Sequence, residues 1–420
     1  MTTPPRYQVA YVLSRFPSLS ETFILREIVA LRRRGIGVLV FSLRTPNDAV
    51  MHDEARSLSS DTIYPGSAAG LMAAIGRERG WIGLLRNALR EAGGAGPTEL
   101  AKTAYTMVVA ASFAGTARRL GVRHLHAHWT TYPALAARTM AALTGLSYSV
   151  TTHAFDIFLP NPHRTKNLRT ASQVVTISEF NRRYLQAQGF DRDIVVIPCG
   201  LDLAHFAPSP GAERSGIVAV GRLDPIKGFT VLIDACALLT RRGIDFKCDI
   251  IGEGPQRPIL TARIAEHGLA DRIRLLGALE QQEVRSRVSR ARVFTLPCVR
   301  LPNGDQDGIP VSLMEAMALQ IPVVTTPVSG IPELVTDGVS GLLTTPQDPV
   351  SLADALLRVL TDDTLAQTIA AGGRRVVERH HDIDATSMTL ARLLGLHEDG
   401  LERGTASLAG PVSVLPEVGA

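Results

Sequence analysis

Cysteine is scarce in this chain. Cys199, Cys236, Cys248 and Cys298 are the four in 420 residues, and they form no CxxC pair and no Cys/His cluster. That spacing excludes a disulfide framework and argues against a structural zinc; it points to reduced thiols of a cytoplasmic protein. Long apolar runs are missing as well. The N-terminus has no basic segment followed by a long apolar one, since Val9 to Leu13 is strand-length and ends at Ser14-Arg15. No stretch reaches the roughly 18 residues of a membrane span. Nor does one sign of charge prevail: 44 Lys and Arg against 40 Asp and Glu leave a net charge of +4. So small an excess does not argue for nucleic acid, although it tolerates an anionic substrate or membrane surface. What is present is an ordinary globular mixture, 45% hydrophobic and 20% charged, with disorder expected only at the ends. The length favours two domains, each large enough for its own core.

Strand and helix patterns alternate. Tyr7 to Leu13 reads as a buried strand, and a loop leads into a helix from Ser20 to Arg34, with Ser20 as N-cap and Gly35 as its stop. Strands follow at Gly37 to Ser42, His124 to Trp129, Ser147 to Thr152, Val174 to Ile177 and Ile194 to Ile197. This is a parallel α/β sheet. From Ala68 to Gly121 the pattern is helical and basic, broken at Gly93 to Pro97, with Arg77, Arg79, Arg86 and Arg90 around Trp81-Ile82-Gly83-Leu84-Leu85. Two readings of that stretch stand: amphipathic helices covering the sheet, or a greasy, basic surface for lipid. His124, His126 and His128 alternate on one strand face, a spacing that could hold zinc, but no carboxylate or cysteine lies close by in sequence.

Turn-rich segments at Pro198 to Asp202 and Ala207 to Gly211 separate this region from a second one. There six strands alternate with helices, at Gly216 to Val220, Phe246 to Ile251, Ile273 to Leu276, Val293 to Leu296, Pro322 to Thr325 and Gly341 to Thr344. The expected architecture is two doubly wound, Rossmann-like domains. Residues 1–200 form the first, 201–213 a linker and 214–381 the second, with a flexible tail at 398–420.

Four segments carry chemistry. Asp307 and Gly308 precede a helix in which Pro310 takes a first-turn position and only Ser312 and Glu315 interrupt the apolar run from Val311 to Leu319. A buried helix that contains a carboxylate needs a partner for it. The helix start, next to a glycine, suits a phosphate. Arg222 and Lys227, in Gly221 to Gly228, sit at the carboxyl end of a strand and could clamp a diphosphate or be plain surface charge. Gly252-Glu253-Gly254-Pro255 is a further turn that would let a ligand touch the backbone. In the first region, the strand ending at Thr152 delivers Thr152-His153-Ala154-Phe155-Asp156 to the edge where ligands bind in open α/β sheets.

These segments resemble the GT-B glycosyltransferases of glycosyltransferase family 4, which retain anomeric configuration. GRLDPIKG is similar to that family's GRL-x-x-x-KG motif, and DGIPVSLMEAMA to its E-G-x-P-x-x-x-x-E-A-M-A motif, with IGEGP, IPCGLD and THAFD also matching. SRFPSLSETF, HAHW and THAFDIF resemble the members that build bacterial exopolysaccharide of the colanic-acid type. One departure is Asp307, where the family usually has Glu. The resemblance implies two Rossmann-like domains facing a cleft, with the helix at 382–397 crossing back to the first. It implies that Glu315 accepts hydrogen bonds from the ribose diol and that Arg222 and Lys227 neutralise the departing diphosphate. Asp307 with Gly308, Ile309, Pro310 and Val311 would hold donor hydroxyls and phosphate, Gly252 and Glu253 would line the nucleotide site, and His153 would meet the sugar from the opposite domain. Asp305-Gln306-Asp307 is formally a metal-binding D-x-D, as are Asp191-Arg192-Asp193 and Asp382-Ile383-Asp384. With two cations already at the diphosphate, no metal is expected. The expected function is transfer of a hexose from a UDP- or GDP-linked sugar to a saccharide hydroxyl, with a lipid-linked acceptor at the inner leaflet of the plasma membrane. A nucleotide-sugar epimerase of the same fold, and a transferase acting on a soluble small molecule, are the alternatives.

Overall fold

A computed structural model describes residues 7–18, 21–46, 56–76, 78–209, 211 and 213–397. The expected N-cap Ser20, the basic residue Arg77 and the tail 398–420 lie outside the described residues. The first sheet contains β1 (Val9–Leu13), β2 (Val38–Ser42), β3 (Thr62–Ile63), β4 (His124–His128), β5 (Ser147–Thr152), β6 (Gln173–Thr176) and β7 (Val195–Val196). The second contains β8 (Ser215–Val220), β9 (Cys248–Ile251), β10 (Ile273–Gly277), β11 (Ala291–Leu296), β12 (Val323–Thr325) and β13 (Leu342–Leu343). Their orders, β3-β2-β1-β4-β5-β6-β7 and β10-β9-β8-β11-β12-β13, follow one scheme. Every pairing is parallel. The chain reverses its direction of travel between β1 and β4 and again between β8 and β11, which opens a crevice at the carboxyl ends of those strands.

The strands read as they do because both faces are covered. VAYVL of β1 is buried throughout, as parallel strands between helical layers must be. Helix Thr22–Arg33 turns Ile24, Ile28 and Leu31 onto the sheet, a helical spacing that makes a stripe. Helix Pro97–Arg119 starts on a proline that has no N–H to leave unpaired, and it buries Ala110, Phe113, Ala114 and Ala117. Strand β3 is absent from the sequence reading. At two residues it is too short to show any periodicity.

The basic stretch forms three helices, Ala68–Ile75, Trp81–Ala92 and Pro97–Arg119. In the second, Ala88 and Ala92 are buried, Leu84 and Leu85 are half-buried, and Ile82 is 69% exposed beside exposed Arg86 and Arg90. The helix therefore covers the fold with one face and shows apolar and basic groups on the other.

At the C-terminal end, Asp382 caps helix Ile383–Leu393 by accepting from the backbone of Asp384 and Ala385. Leu390 packs against Val175 and Ile197, and Ala391 and Leu396 join the cluster of Val9, Ile24 and Leu31. Gln8 closes the arrangement by exchanging two hydrogen bonds with the His397 backbone, at 2.9 and 3.1 Å. A Cβ on Gly200 would meet Thr386 Oγ1 at 2.3 Å, so only glycine lets the two segments approach so closely.

Candidate active site

From the second sheet, β8 runs into Gly221 to Gly228. Asp224 caps the short 3₁₀ turn Pro225–Lys227, and Gly228 adopts φ +70, where a Cβ would lie 1.9 Å from the Pro297 carbonyl. Glycine thus lets the β8 loop lie on the loop after β11. Lys227 consequently reaches Asp307 in a short ion pair, with both side chains largely covered. Burial by itself would lower the Lys227 ammonium, but the Asp307 carboxylate outweighs it and the net shift is upward, so the lysine is charged. Arg222 is 63% exposed and pairs with Asp224 at 2.9 Å. Gly252, at φ +140, has no room for a Cβ because the Gly221 carbonyl would be 2.0 Å away. Glu253 is turned outward and held by Arg257, at 2.7 and 3.0 Å.

The apolar helix spans Val311–Ala318. Pro310 serves as its N-cap rather than its first residue, with ψ 124. A proline can take either position because neither needs its missing N–H. Ser312 Oγ donates to the Val220 carbonyl at 2.9 Å, which ties the helix to the end of β8. The partner that Glu315 needs is Arg26, whose Nη2 donates to Oε1 at 2.6 Å. Arg26 comes from helix Thr22–Arg33 over the first sheet and lies 5.0 Å above the Phe206 ring. Its Nη1 is buried without a partner among the described residues.

From the first sheet comes His153. Its backbone N–H donates to Asp156 Oδ1 at 3.0 Å, and Asp156 Oδ2 accepts from the Thr130 N–H at 2.9 Å. Asn181 donates to the His153 carbonyl. Burial raises the Asp156 carboxyl to about 6, against the pull of these backbone donors. The His153 ring meets His128 edge to edge, with centroids 5.2 Å apart and planes 20° apart, and packs against Phe23 and Trp129. Trp129 itself holds φ 69, a left-handed conformation that a bulky residue rarely adopts and that marks strain beside the cleft.

The two sides touch at Gly308. A Cβ there would lie 3.1 Å from Ile177 Cδ1, 3.6 Å from Ala154 Cβ and 3.8 Å from the His153 carbonyl oxygen. Glu333 adds a second contact, accepting from the backbone N–H groups of Glu179 and Phe180 at 2.8 and 2.6 Å. That carboxylate sits at the N-terminus of helix Glu179–Ala187, where the helix dipole favours it. Lys227, Asp307, Gly308 and His153 are therefore brought together, with Ile309 and Val311 following from Gly308. Glu315 is joined to the opposite sheet by Arg26, whereas the Arg222 guanidinium and the Glu253 carboxylate are engaged locally.

Sequence reasoning misses Arg26, Glu27 and Glu333, and it brings Asp156 to the ligand edge without giving it a role. A signal exists for the first two, since both fall between Ile24, Leu25, Ile28 and Leu31, where a charge has to find a partner. Glu27, 101 residues before His128 in sequence, brings a carboxylate to the strand histidines that their sequence neighbourhood lacks. Glu27, His126 and His128 each offer a ligand atom within 4.8 Å of the others. Those atoms already have partners: Ser149 and Thr151 hydroxyls on His126 at 2.7 and 3.1 Å, and His153 and Glu27 on His128. His124 bonds instead to Ser147 and Ser149, at 2.8 and 2.7 Å. The donor set fits a polar network better than a metal, because a bound ion would displace several of these hydrogen bonds.

The family profile described as Glycosyltransferase Family 4 matches residues 20–205, and the one described as Glycosyl transferases group 1 matches residues 214–362. The putative colanic acid biosynthesis glycosyltransferase WcaL of Escherichia coli (strain K12) is 32% identical over 413 residues, 92% of this chain and 99% of that protein. The chain belongs to glycosyltransferase family 4. It is a retaining hexosyltransferase, and membership decides against the epimerase alternative. The amylovoran biosynthesis glycosyltransferase AmsK of Erwinia amylovora is 38% identical over 178 residues, 42% of this chain and 44% of that one. Relatives of this family member thus include proteins of exopolysaccharide biosynthesis. Anabaena HepE in complex with UDP and glucose superposes with TM-score 0.69 at 19% identity, over 93% of this chain and 100% of that one. Sucrose-phosphate synthase from Thermosynechococcus elongatus gives 0.71 at 21%, over 92% and 98%. These likenesses establish the GT-B fold. Among the described residues no helix is long and apolar enough to cross a membrane.

Proposed function

We propose that this protein transfers a hexose from a UDP- or GDP-linked sugar to a saccharide hydroxyl in exopolysaccharide assembly, with no metal required. The observation that carries the reading is the meeting of Gly308 with the His153 loop, because it sets a charged lysine and an imidazole from opposite sheets around one cleft. Lys227 and Arg222 neutralise the departing diphosphate, and the start of helix Val311–Ala318, from Gly308 through Pro310, adds its dipole. Asp307 and His153 hold sugar hydroxyls, and Gly252 and Glu253 border the nucleotide. Charge on the leaving phosphate supplies most of the rate, since transfer passes through an oxocarbenium-like state. The phosphate oxygen takes the acceptor proton, so no carboxylate pair of the hydrolase kind is needed. Residues 1–200 with the helix at 382–397 form the acceptor side, 201–213 the linker and 214–381 the donor side. Support for a UDP or GDP donor comes from relatives. HepE is solved with UDP-glucose. A GDP-mannose-dependent mannosyltransferase of Mycobacterium tuberculosis, acting on phosphatidylinositol monomannoside, is 29% identical over 243 residues, 54% of this chain and 63% of that one.

A thermal-shift series with UDP, GDP, ADP and their sugars tests the reading. A true donor nucleotide at 100 times its Kd adds about 2.7 kcal/mol to stability, and no response to any of them removes the donor-site assignment. Glu315 has a second test. Arg26 holds it in the free protein, and the ribose diol shares the same carboxylate when nucleotide enters. Glu315→Gln should raise the donor KM roughly tenfold or more, because a charged hydrogen bond contributes about 1.5 to 3 kcal/mol, while the acceptor KM changes little. Equal effects on both substrates in steady-state assays would place Glu315 in structure rather than in donor binding.

The acceptor is lipid-linked and lies at the cytoplasmic leaflet. Exposed Ile82, in line with exposed Arg86 and Arg90 one and two turns further along the helix, supports this, as apolar groups beside cations suit an anionic interface. Each cation near such a surface contributes on the order of 1 kcal/mol, which makes attachment reversible and salt-sensitive. Flotation with anionic vesicles at low salt should carry the protein upward, and Ile82→Ser with Arg86→Glu should abolish it. If the wild-type protein stays at the bottom of the gradient, the acceptor is a soluble molecule.

A further inference from the structure

The geometry points to a chain from Glu27 through His128 that sets the tautomer of His153, leaving its Nδ1 lone pair as a hydrogen-bond acceptor at the cleft. Glu27 Oε1 accepts from the Tyr11 hydroxyl at 2.7 Å and faces His128 Nε2 at 3.2 Å. An unprotonated carboxylate oxygen has only acceptor capacity to offer, so His128 Nε2 must carry the hydrogen. A neutral imidazole has one N–H, and His128 Nδ1 is then a lone pair. That nitrogen lies 2.9 Å from His153 Nε2, which must therefore be the donor, and the lone pair of His153 falls on Nδ1.

Neutrality of the two rings, which this reasoning requires, follows from their surroundings. Burial pushes His128 down to about 3, and burial together with His128 holds His153 well below its ordinary value. The groups facing Glu27 are Tyr11 from β1, His126 and His128 from β4, and, at longer range, Cys199 of the segment after β7. Burial raises the Glu27 carboxyl, and His126 and the Tyr11 hydroxyl pull it back down; Oε1 accepts both hydrogen bonds in the carboxylate and in the acid protonated on Oε2, and the assignment requires one of these two forms.

The ring cannot rotate to exchange its nitrogens. Phe23 at 4.9 Å and Trp129 at 5.1 Å flank it while His128 holds its edge, and both backbone polar groups of His153 are clamped. Among the described residues none hydrogen-bonds His153 Nδ1, and that atom is not one of the sealed, unpartnered side-chain atoms. It is open to a ligand hydroxyl. With the reverse tautomer the same position would present an N–H and could not accept a sugar O–H. Glu27, His128 and Tyr11 are thus positioning residues. The consequence for catalysis rests on the reading, given above, that His153 meets the donor sugar.

Nitrogen NMR of the full chain labelled at histidine tests the tautomer without any substrate. His153, assigned by loss of its signals in His153→Gln, should show a protonated Nε2 and an unprotonated Nδ1. The opposite pattern in the wild-type protein overturns the proposal. In Glu27→Gln the side chain can donate as well as accept, so His153 should become a mixture of tautomers and kcat/KM for donor should fall roughly tenfold. Glu27→Asp, which can only accept, should keep the single tautomer. If Glu27→Gln melts as wild type and His153 still shows one tautomer, Glu27 does not set it and the proposal falls. A tautomer that responds as expected, with His153→Ala fully active, supports the chain and removes instead the contact between His153 and the sugar.

Discussion

Lys227→Ala should lower kcat by on the order of 10²–10³, the loss seen when one preorganised charge at a developing anion is removed. The effect is large because the ammonium is held at the carboxyl end of β8 by the Gly228 contact with the Pro297 carbonyl and is kept charged by Asp307. No reorganisation is needed when negative charge accumulates on the leaving diphosphate. The substitution also strands Asp307 in a largely covered position, which costs stability and has to be separated from catalysis. Lys227→Arg keeps a cation within reach of both partners and should retain more activity than Lys227→Ala at a similar melting temperature. Single-turnover assays with a nucleotide hexose would measure the chemical step directly. A Lys227→Ala rate within threefold of wild type would show that the lysine belongs to packing, and that the diphosphate is neutralised elsewhere.

Ending the chain at His381 should leave no stable protein. The lost segment buries Ile383, Leu390 and Leu396, and full burial of each such side chain contributes about 1.5 to 3 kcal/mol. Roughly 5 to 9 kcal/mol would go, against a typical total of about 5 to 15. The damage falls on the first sheet, because Val9, Ile24, Leu31, Val175 and Ile197 would face water. Soluble yield and cooperative melting are the measurements. A truncated chain that melts like the full one would show that the helix at 382–397 is an accessory rather than part of the first domain's core.

The second sheet is more legible than the first. Its six strands end in glycine or proline turns and alternate with helices of ordinary length, so the period of the apolar residues shifts cleanly from strand to helix. In the first sheet β3 has only two residues, and a long helical insert hides its place in the order. The strand histidines show a different limit. Their alternation places all three on one face of β4, but the sequence holds no sign that His124 will turn to serines while His128 meets Glu27 and His153. Those partners come from other elements.

Apolar periodicity and turn residues by themselves determined that this chain is a doubly wound α/β protein, and the strand-end segments around Arg222, Lys227, Asp307 and Glu315 pointed to a nucleotide, with the sugar implied by the family resemblance. These are local properties, set by residues a few positions apart. Only the tertiary structure decided which groups meet: Arg26 with Glu315, Glu333 with the helix at Glu179, and Gly308 with the His153 loop. Contacts between residues tens to hundreds of positions apart depend on how two sheets face each other, and short-range sequence pattern carries no record of that distance. The tautomer of His153 lies furthest from the sequence, because it follows from a hydrogen on His128 that a carboxylate 101 residues earlier holds in place.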